Sequence, residues 1–201
     1  MSSFTRQAIT DAFLRLLARK PFKKVTVRDI VEECGVNRTT FYYYYQDIYA
    51  IVEDLFSVTL AVYADVLRGR RDEENLRDTA QFISMNRRAI LSLWDALGHE
   101  QMRRYTFAVT DEAMHELIDR RAEGLSLTDA EKETVFLLTR ETLFGAMYLF
   151  LRDELPAGAG DIFTSAAHGL VRKSLEGIAA AKKRDGDAVP QEADQEIREG
   201  S

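Results

Sequence analysis

The chain is predicted to be all-α, with a small three-helix head followed by a larger helical body. Three observations carry this. Only three Pro and eleven Gly occur in 201 residues, too few for a sheet protein with frequent tight turns. Apolar residues recur at helical spacing along most of the chain. Charge divides the molecule: residues 1–50 hold eight basic and five acidic residues, a net of +3, so the remaining 151 carry −9 of the total −6. A basic head on an acidic body suits a polyanion met in one orientation. The single Cys excludes a disulfide framework, and His99, His115 and His168 form no recognisable metal cluster. No stretch reads as an export signal or as the ~20 apolar residues that a membrane span needs, so a cytoplasmic protein is expected. Nothing implies a cofactor.

In the head, Ile9, Phe13, Leu16 and Leu17 predict a helix over about 5–19, stopped by Pro21. Thr26 caps a second helix, and Asp29 three residues on is a weaker form of the capping box. Its buried stripe is Val27, Ile30, Val31 and Cys34. Gly35 suits the left-handed end of that helix, and Asn37 caps a third over 38–44. This is the layout of a helix-turn-helix, whose second helix enters the major groove of DNA. Val36, Phe41 and Tyr45 are expected to pack inward, leaving Arg38, Thr39, Tyr42 and Tyr43 outside. Arg can grip guanine or phosphate, Thr can touch a thymine methyl, and Tyr hydroxyls can reach phosphate oxygens. Five of the eight tyrosines lie in 42–49, a density of aromatics that a bland surface does not need.

The segment AITDAFLRLLARKPFKKVTVRDIVEECGVNRTTFYYYYQDIYAIVEDL, with T-V-x-D-I and then G-V-x-x-x-T-F-Y before a long fourth helix, resembles the TetR family of bacterial transcriptional regulators. The resemblance implies DNA contacts from Thr26, Val27 and Arg28 at the start of the second helix. It implies more from Asn37, Arg38, Thr39, Thr40, Tyr42, Tyr43 and Tyr44 on the third. Two departures matter. Tyr44-Tyr45 stands where His-Phe is common, and Ile48 replaces a common phosphate-contacting Lys, so either that grip comes from elsewhere, with Lys23 and Lys24 as the candidates, or affinity is lower. Pro21-Phe22, in place of Gly-Phe or Gly-Tyr, resembles the branch that includes regulators of dihydroxyacetone kinase operons.

In the body, Asp47 caps a helix of about 20 residues reaching 67, long enough to carry movement from body to head. Two shorter helices over 76–85 and 89–97, the latter ending at Gly98, precede one over 101–121 closed by Gly124. Thr128 with Glu131 opens the next helix with a capping box. Its residues 143–151 offer no polar side and are expected to be buried against the core and a partner subunit. A last helix over about 161–181 brings Ile162, Phe163, Ala166, Ala167 and Leu170. With Phe144, Met147, Tyr148 and Leu151 they are the expected homodimer interface, where family members dimerise. The domains expected are 1–50 for DNA binding, 51–181 for effector binding and dimerisation, and 182–201 as a mobile tail.

The resemblance implies an effector pocket inside the body, its occupant a small molecule or a protein. Candidates are Tyr63, Phe82, Met85, Trp94, Met102, Tyr105, Phe107 and Met147, with His99 and His115 as polar anchors. The same residues at helical spacing also suit ordinary core. The expected function is a regulator, a repressor released from a palindromic operator by an effector. A protein-interaction module that kept the fold and lost DNA binding is the alternative, prompted by Ile48 and the acidic body. An enzyme has nothing to build on, since no nucleophile, metal or phosphate motif is present.

Overall fold

The computed structural model describes residues 2–71, 74–154 and 162–187. Among them are eight α-helices: α1 (Ser2–Leu17), α2 (Val27–Cys34), α3 (Arg38–Tyr44), α4 (Ile48–Leu67), α5 (Glu74–Met85), α6 (Arg87–Ala122), α7 (Asp129–Arg152) and α8 (Ile162–Asp187). A 3-10 turn, Phe22–Lys24, joins α1 to α2.

The helix ends follow their capping chemistry. Thr26 Oγ1 accepts from Asp29 N at 3.2 Å and Asp29 Oδ2 accepts from Thr26 N at 2.8 Å, a complete box. Gly35 takes φ 74° at the end of α2, a conformation that a side chain at this position would resist. Asn37 accepts from Thr40 N at 2.7 Å, Asp47 from Tyr49 N and Ala50 N, and Thr128 with Glu131 forms a second box. Gly98 changes one expectation. The two segments expected on either side of it are one helix, α6, broken where Gly98 leaves helical geometry at φ 79°, ψ 167°. The last helix also outruns its expected end at 181 and continues to Asp187, while 188–201 lie outside the described residues.

Two apolar clusters make the core. The first joins head to body: Ile9, Phe13, Phe22, Ile30 and Phe41 pack in one continuous group with Ile51 and Leu55 of α4, Leu93, Trp94 and Met102 of α6, and Phe144 and Leu151 of α7. The second lies at the far end and gathers Ala64, Leu67, Ala113, Met114, Leu117, Ile118, Val135, Phe136, Val171 and Leu175. The head therefore has no separate core of its own. By length and composition α7 could cross a membrane, contrary to the reading of the sequence. Here Val135, Phe136, Phe144 and Leu151 of that helix are buried in the protein core instead.

Candidate nucleic-acid interface

On α3 the helical period separates core from surface. Phe41 is fully buried and Tyr45, which follows the helix, nearly so. Tyr42 and Tyr43 are 57% and 80% exposed, and Arg38 and Thr39 are exposed beside them. Tyr42 keeps its place by an edge-on contact with Phe41, and Tyr43 by one with Tyr44. Of the residues expected at this surface, Lys23, Lys24, Thr26, Arg28 and Asn37 are exposed as well, whereas Val27, Thr40 and Tyr44 are half-buried. Val27 and Tyr44 pack against the core and so share their surface between packing and solvent.

The cations of the head fall into two groups. Arg15 and Arg19 pair with Glu33, Lys20 with Asp29 at 2.7 Å, and Arg28 with Glu32 at 2.7 Å one turn along α2. Lys23, Lys24 and Arg38 have no ion-pair partner among the described residues. Ile48 is half-buried against the core, so the start of α4 has packing where a cation could have stood.

A polar cluster ties this surface to α4. The Tyr45 hydroxyl donates to Asp54 Oδ2 at 2.6 Å, the hydroxyl of Thr10 lies 3.1 Å from it, and Arg6 pairs with Asp54. Burial pushes the Tyr45 phenol above its ordinary value, with the Asp54 carboxylate adding to the shift. Arg6 and Asp54 were not among the residues singled out from sequence. Their signal was the Tyr at 45, whose hydroxyl needs a partner once its ring is buried.

Asp29 shows the electrostatics of the cap. Hydrogen bonds from Lys20 and then Thr26 hold its carboxyl down from 3.8 to about 2. Because the folded value is the lower one, its contribution is complete above the ordinary value and is lost as pH falls through about 2. Thr26→Ala is expected to cost ~1 kcal/mol at neutral pH, as loss of an N-cap generally does. Acid titration of Asp29→Asn beside the unmodified chain should show a stability difference that closes as the pH approaches 2; a difference independent of pH would remove the ionised carboxylate from the account.

In the body, a cavity lies between α4, α5, α6 and α7. Of the residues expected at an effector pocket, Tyr63, Phe107 and Met147 line it. Phe82, Met102 and Met147 line a narrower cleft beside it. The other candidates sit elsewhere. Trp94 is buried behind Phe144, stacked at 5.1 Å, and donates to His99 Nδ1 at 3.2 Å. Tyr105 stacks on Phe56, and the exposed His115 stacks on Phe136, so neither lines the cavity. Met85 is 78% exposed and borders only an open groove against α1. Sequence reasoning missed Asp111 and Arg140, which pair at 3.2 Å on the cavity wall. The interruption of an apolar stripe at Thr106, Thr110 and Asp111 was the available sign.

The expected interface also needs correcting. Phe144 and Leu151, 3% and 1% exposed, face the chain's own core, because Trp94, Phe107 and His99 surround Phe144. Met147 lines the cavity and Tyr148 packs on Trp94. The outward apolar residues are Leu137, Leu138 and Leu149 of α7 and Leu170 of α8. The side chains of Ile162, Phe163, Ala166 and Ala167 lie outside the described residues.

Residues 9–55 match the sequence pattern of the bacterial regulatory proteins of the tetR family. They form a TetR-family regulatory domain. Among solved structures, the dihydroxyacetone kinase operon activator DhaS is similar, with a TM-score of 0.64 and 14% identity over 86% of this chain and 96% of that one. At that identity the likeness is one of fold. No curated protein matches the chain by sequence. The TetR-type domain gives the chain a transcriptional-regulator function and sets it among regulatory proteins rather than enzymes. Among the described residues, no group of three or more His, Cys, Asp or Glu is placed to hold a metal ion.

Proposed function

We propose that the protein is a homodimeric repressor that reads a near-palindromic DNA operator with α3 and releases it when an effector occupies the body. The observation that carries this is the outward face of α3, where Arg38, Thr39, Tyr42 and Tyr43 stand exposed and Arg38 is spent on no carboxylate. Lys23 and Lys24 add unpaired positive charge nearby, and Thr26, Val27, Arg28, Asn37, Thr40 and Tyr44 complete the surface. Two heads about 34–36 Å apart enter successive major grooves on one side of the duplex. An effector can shift binding only by its differential affinity for the bound and released states. A regulator of this kind works in the cytoplasm, beside the DNA.

Selection of duplexes from a random pool tests the reading. A palindrome is expected, and log affinity for it should fall linearly with log salt as phosphates are neutralised. Arg38→Ala should cost ~1–3 kcal/mol and relax base preference at one position of each half-site, if it holds guanine in two hydrogen bonds. Lys24→Ala should weaken all sequences about equally. Uniform loss from both variants would make Arg38 a phosphate contact. Failure to select any duplex at low salt would leave the interaction module as the better account.

A second reading concerns the sign of regulation. The similar DhaS structure is of an operon activator by name. Deleting the gene and measuring transcripts from the selected sites decides between them: repression predicts a rise, activation a fall.

A further inference from the structure

The cavity of the body sits at the seam between the two core clusters. Phe144, Leu60 and Met147 on its wall belong to the cluster shared with the head, and Tyr63, Met114 and Leu143 to the distal one. About 90 Å³ is open to the centre of a water-sized sphere. That is of the same order as the ~150 Å³ apolar cavity that holds one benzene ring, and this one is not closed on all sides.

The wall offers a ligand very little polarity. The hydroxyls of Thr106 and Thr110 donate to the carbonyls of Met102 and Thr106, each at 3.0 Å, and have no hydrogen left to give. Tyr63 differs. Its hydroxyl has no hydrogen-bond partner among the described residues, and burial alone pushes its phenol well above the ordinary value.

The two charges on the wall are already matched. Arg140 Nη1 donates to Asp111 Oδ2 at 3.2 Å, and its guanidinium lies 4.3 Å over the Phe107 ring. The remaining buried atoms of the pair, Asp111 Oδ1 and Arg140 Nε, are covered by protein and give a ligand no direct contact. Burial holds the Asp111 carboxyl above its ordinary value, against the pull of Arg140. Arg140 Nη2 also donates to Glu141 Oε1 at 3.3 Å, so both ends of the guanidinium are engaged. A ligand carboxylate reaching it from the cavity would have to displace Asp111, and an ammonium would have to take Asp111 from Arg140. Either exchange leaves a charge in an apolar wall without its partner, the costliest arrangement available there.

We propose that this cavity takes an uncharged, ring-sized apolar molecule carrying one hydroxyl or carbonyl group, seated against Phe107, Phe144 and the Tyr63 hydroxyl, and that net charge of either sign excludes a ligand. The proposal deepens the regulator reading and rests on it for the consequence of binding, not for binding itself. A molecule at the seam touches both clusters, so its occupancy is felt by the core that holds α1 to α4.

Four probes of one shape and different charge test it: toluene, benzyl alcohol, benzoate and benzylamine. Methyl signals of labelled methionine report locally, because Met114 and Met147 line the cavity while Met85 is exposed outside it. Benzyl alcohol and toluene are expected to shift the Met114 and Met147 signals saturably and leave Met85 in place. Benzoate and benzylamine at equal concentration should shift none of the three. Tyr63→Phe should weaken benzyl alcohol roughly threefold to tenfold and leave toluene unchanged, the loss of one hydrogen bond. Binding of benzoate or benzylamine as tight as that of the alcohol overturns the proposal, and so does the absence of any saturable shift with the neutral pair. Equal losses for toluene and benzyl alcohol in Tyr63→Phe would overturn the role of the hydroxyl. The charge series needs no variant, so it decides even if Tyr63→Phe folds poorly. Duplex selection uses the unliganded protein, so failure of the regulator reading would be seen there and not in these titrations.

Discussion

Alanine at Phe13 is expected to lower the thermal midpoint of the whole molecule by roughly 6–20 °C. The residue lies in the head, fully buried, with its ring edge-on to Phe22 at 6.2 Å. Truncating a buried Phe generally costs ~3–5 kcal/mol, and a chain of this size loses about 2–4 °C for each kcal/mol. The informative part is where the loss is read. Trp94, the only tryptophan, is on α6 in the body and belongs to the same apolar cluster as Phe13. Its fluorescence should therefore report the loss in a single transition that coincides with the loss of helix by circular dichroism. Two transitions, with Trp94 melting at the unmodified temperature, would show that the head folds on its own and would break the mechanical link from body to α3.

That shared core was the part of the fold least legible in the sequence. Caps and helix ends were readable because they are local: Thr26 with Asp29, Gly35 and Asn37 lie within a few residues of the groups they satisfy. The outward face of α3 was readable for the same reason, since Phe41 and Tyr45 fix which side is buried. Contacts such as Tyr45 with Asp54 and Arg6, or Asp111 with Arg140, depend on how helices distant in sequence are stacked. Periodicity gives a helix its apolar face but not the partner of that face. It was silent on whether Phe144 meets the chain's own Trp94 or a second subunit, and it could not tell that Met85 ends beyond the core while Thr106 and Thr110 line a cavity.

The same distinction separates the residues of α7 in the last expected result. Leu138 and Leu149 are 66% and 38% exposed and lie three helical turns apart on the side of α7 away from its buried residues. Gly145 lies between them with open space where a Cβ would point, so a second helix can come close there. Leu170 of α8 is 38% exposed. Exposed leucines on the last two helices are the surface that a stable dimer would cover, and a dimer of ordinary strength buries about 1,200–2,000 Å². Leu138→Glu combined with Leu149→Glu sets four carboxylates into that interface, two from each subunit, without partners. The double variant is expected to sediment as a monomer at micromolar concentration, where the unmodified protein is expected to be a dimer, and to keep its helix content, because neither site is buried within the chain. Its affinity for the full palindrome should fall toward that for one half-site. Phe144→Glu is the contrast: a carboxylate packed against Trp94 and Phe107 should unfold the body rather than divide the dimer. A double variant that stays dimeric would move the interface off this face, and a well-folded unmodified monomer at micromolar concentration would defeat the two-half-site mechanism.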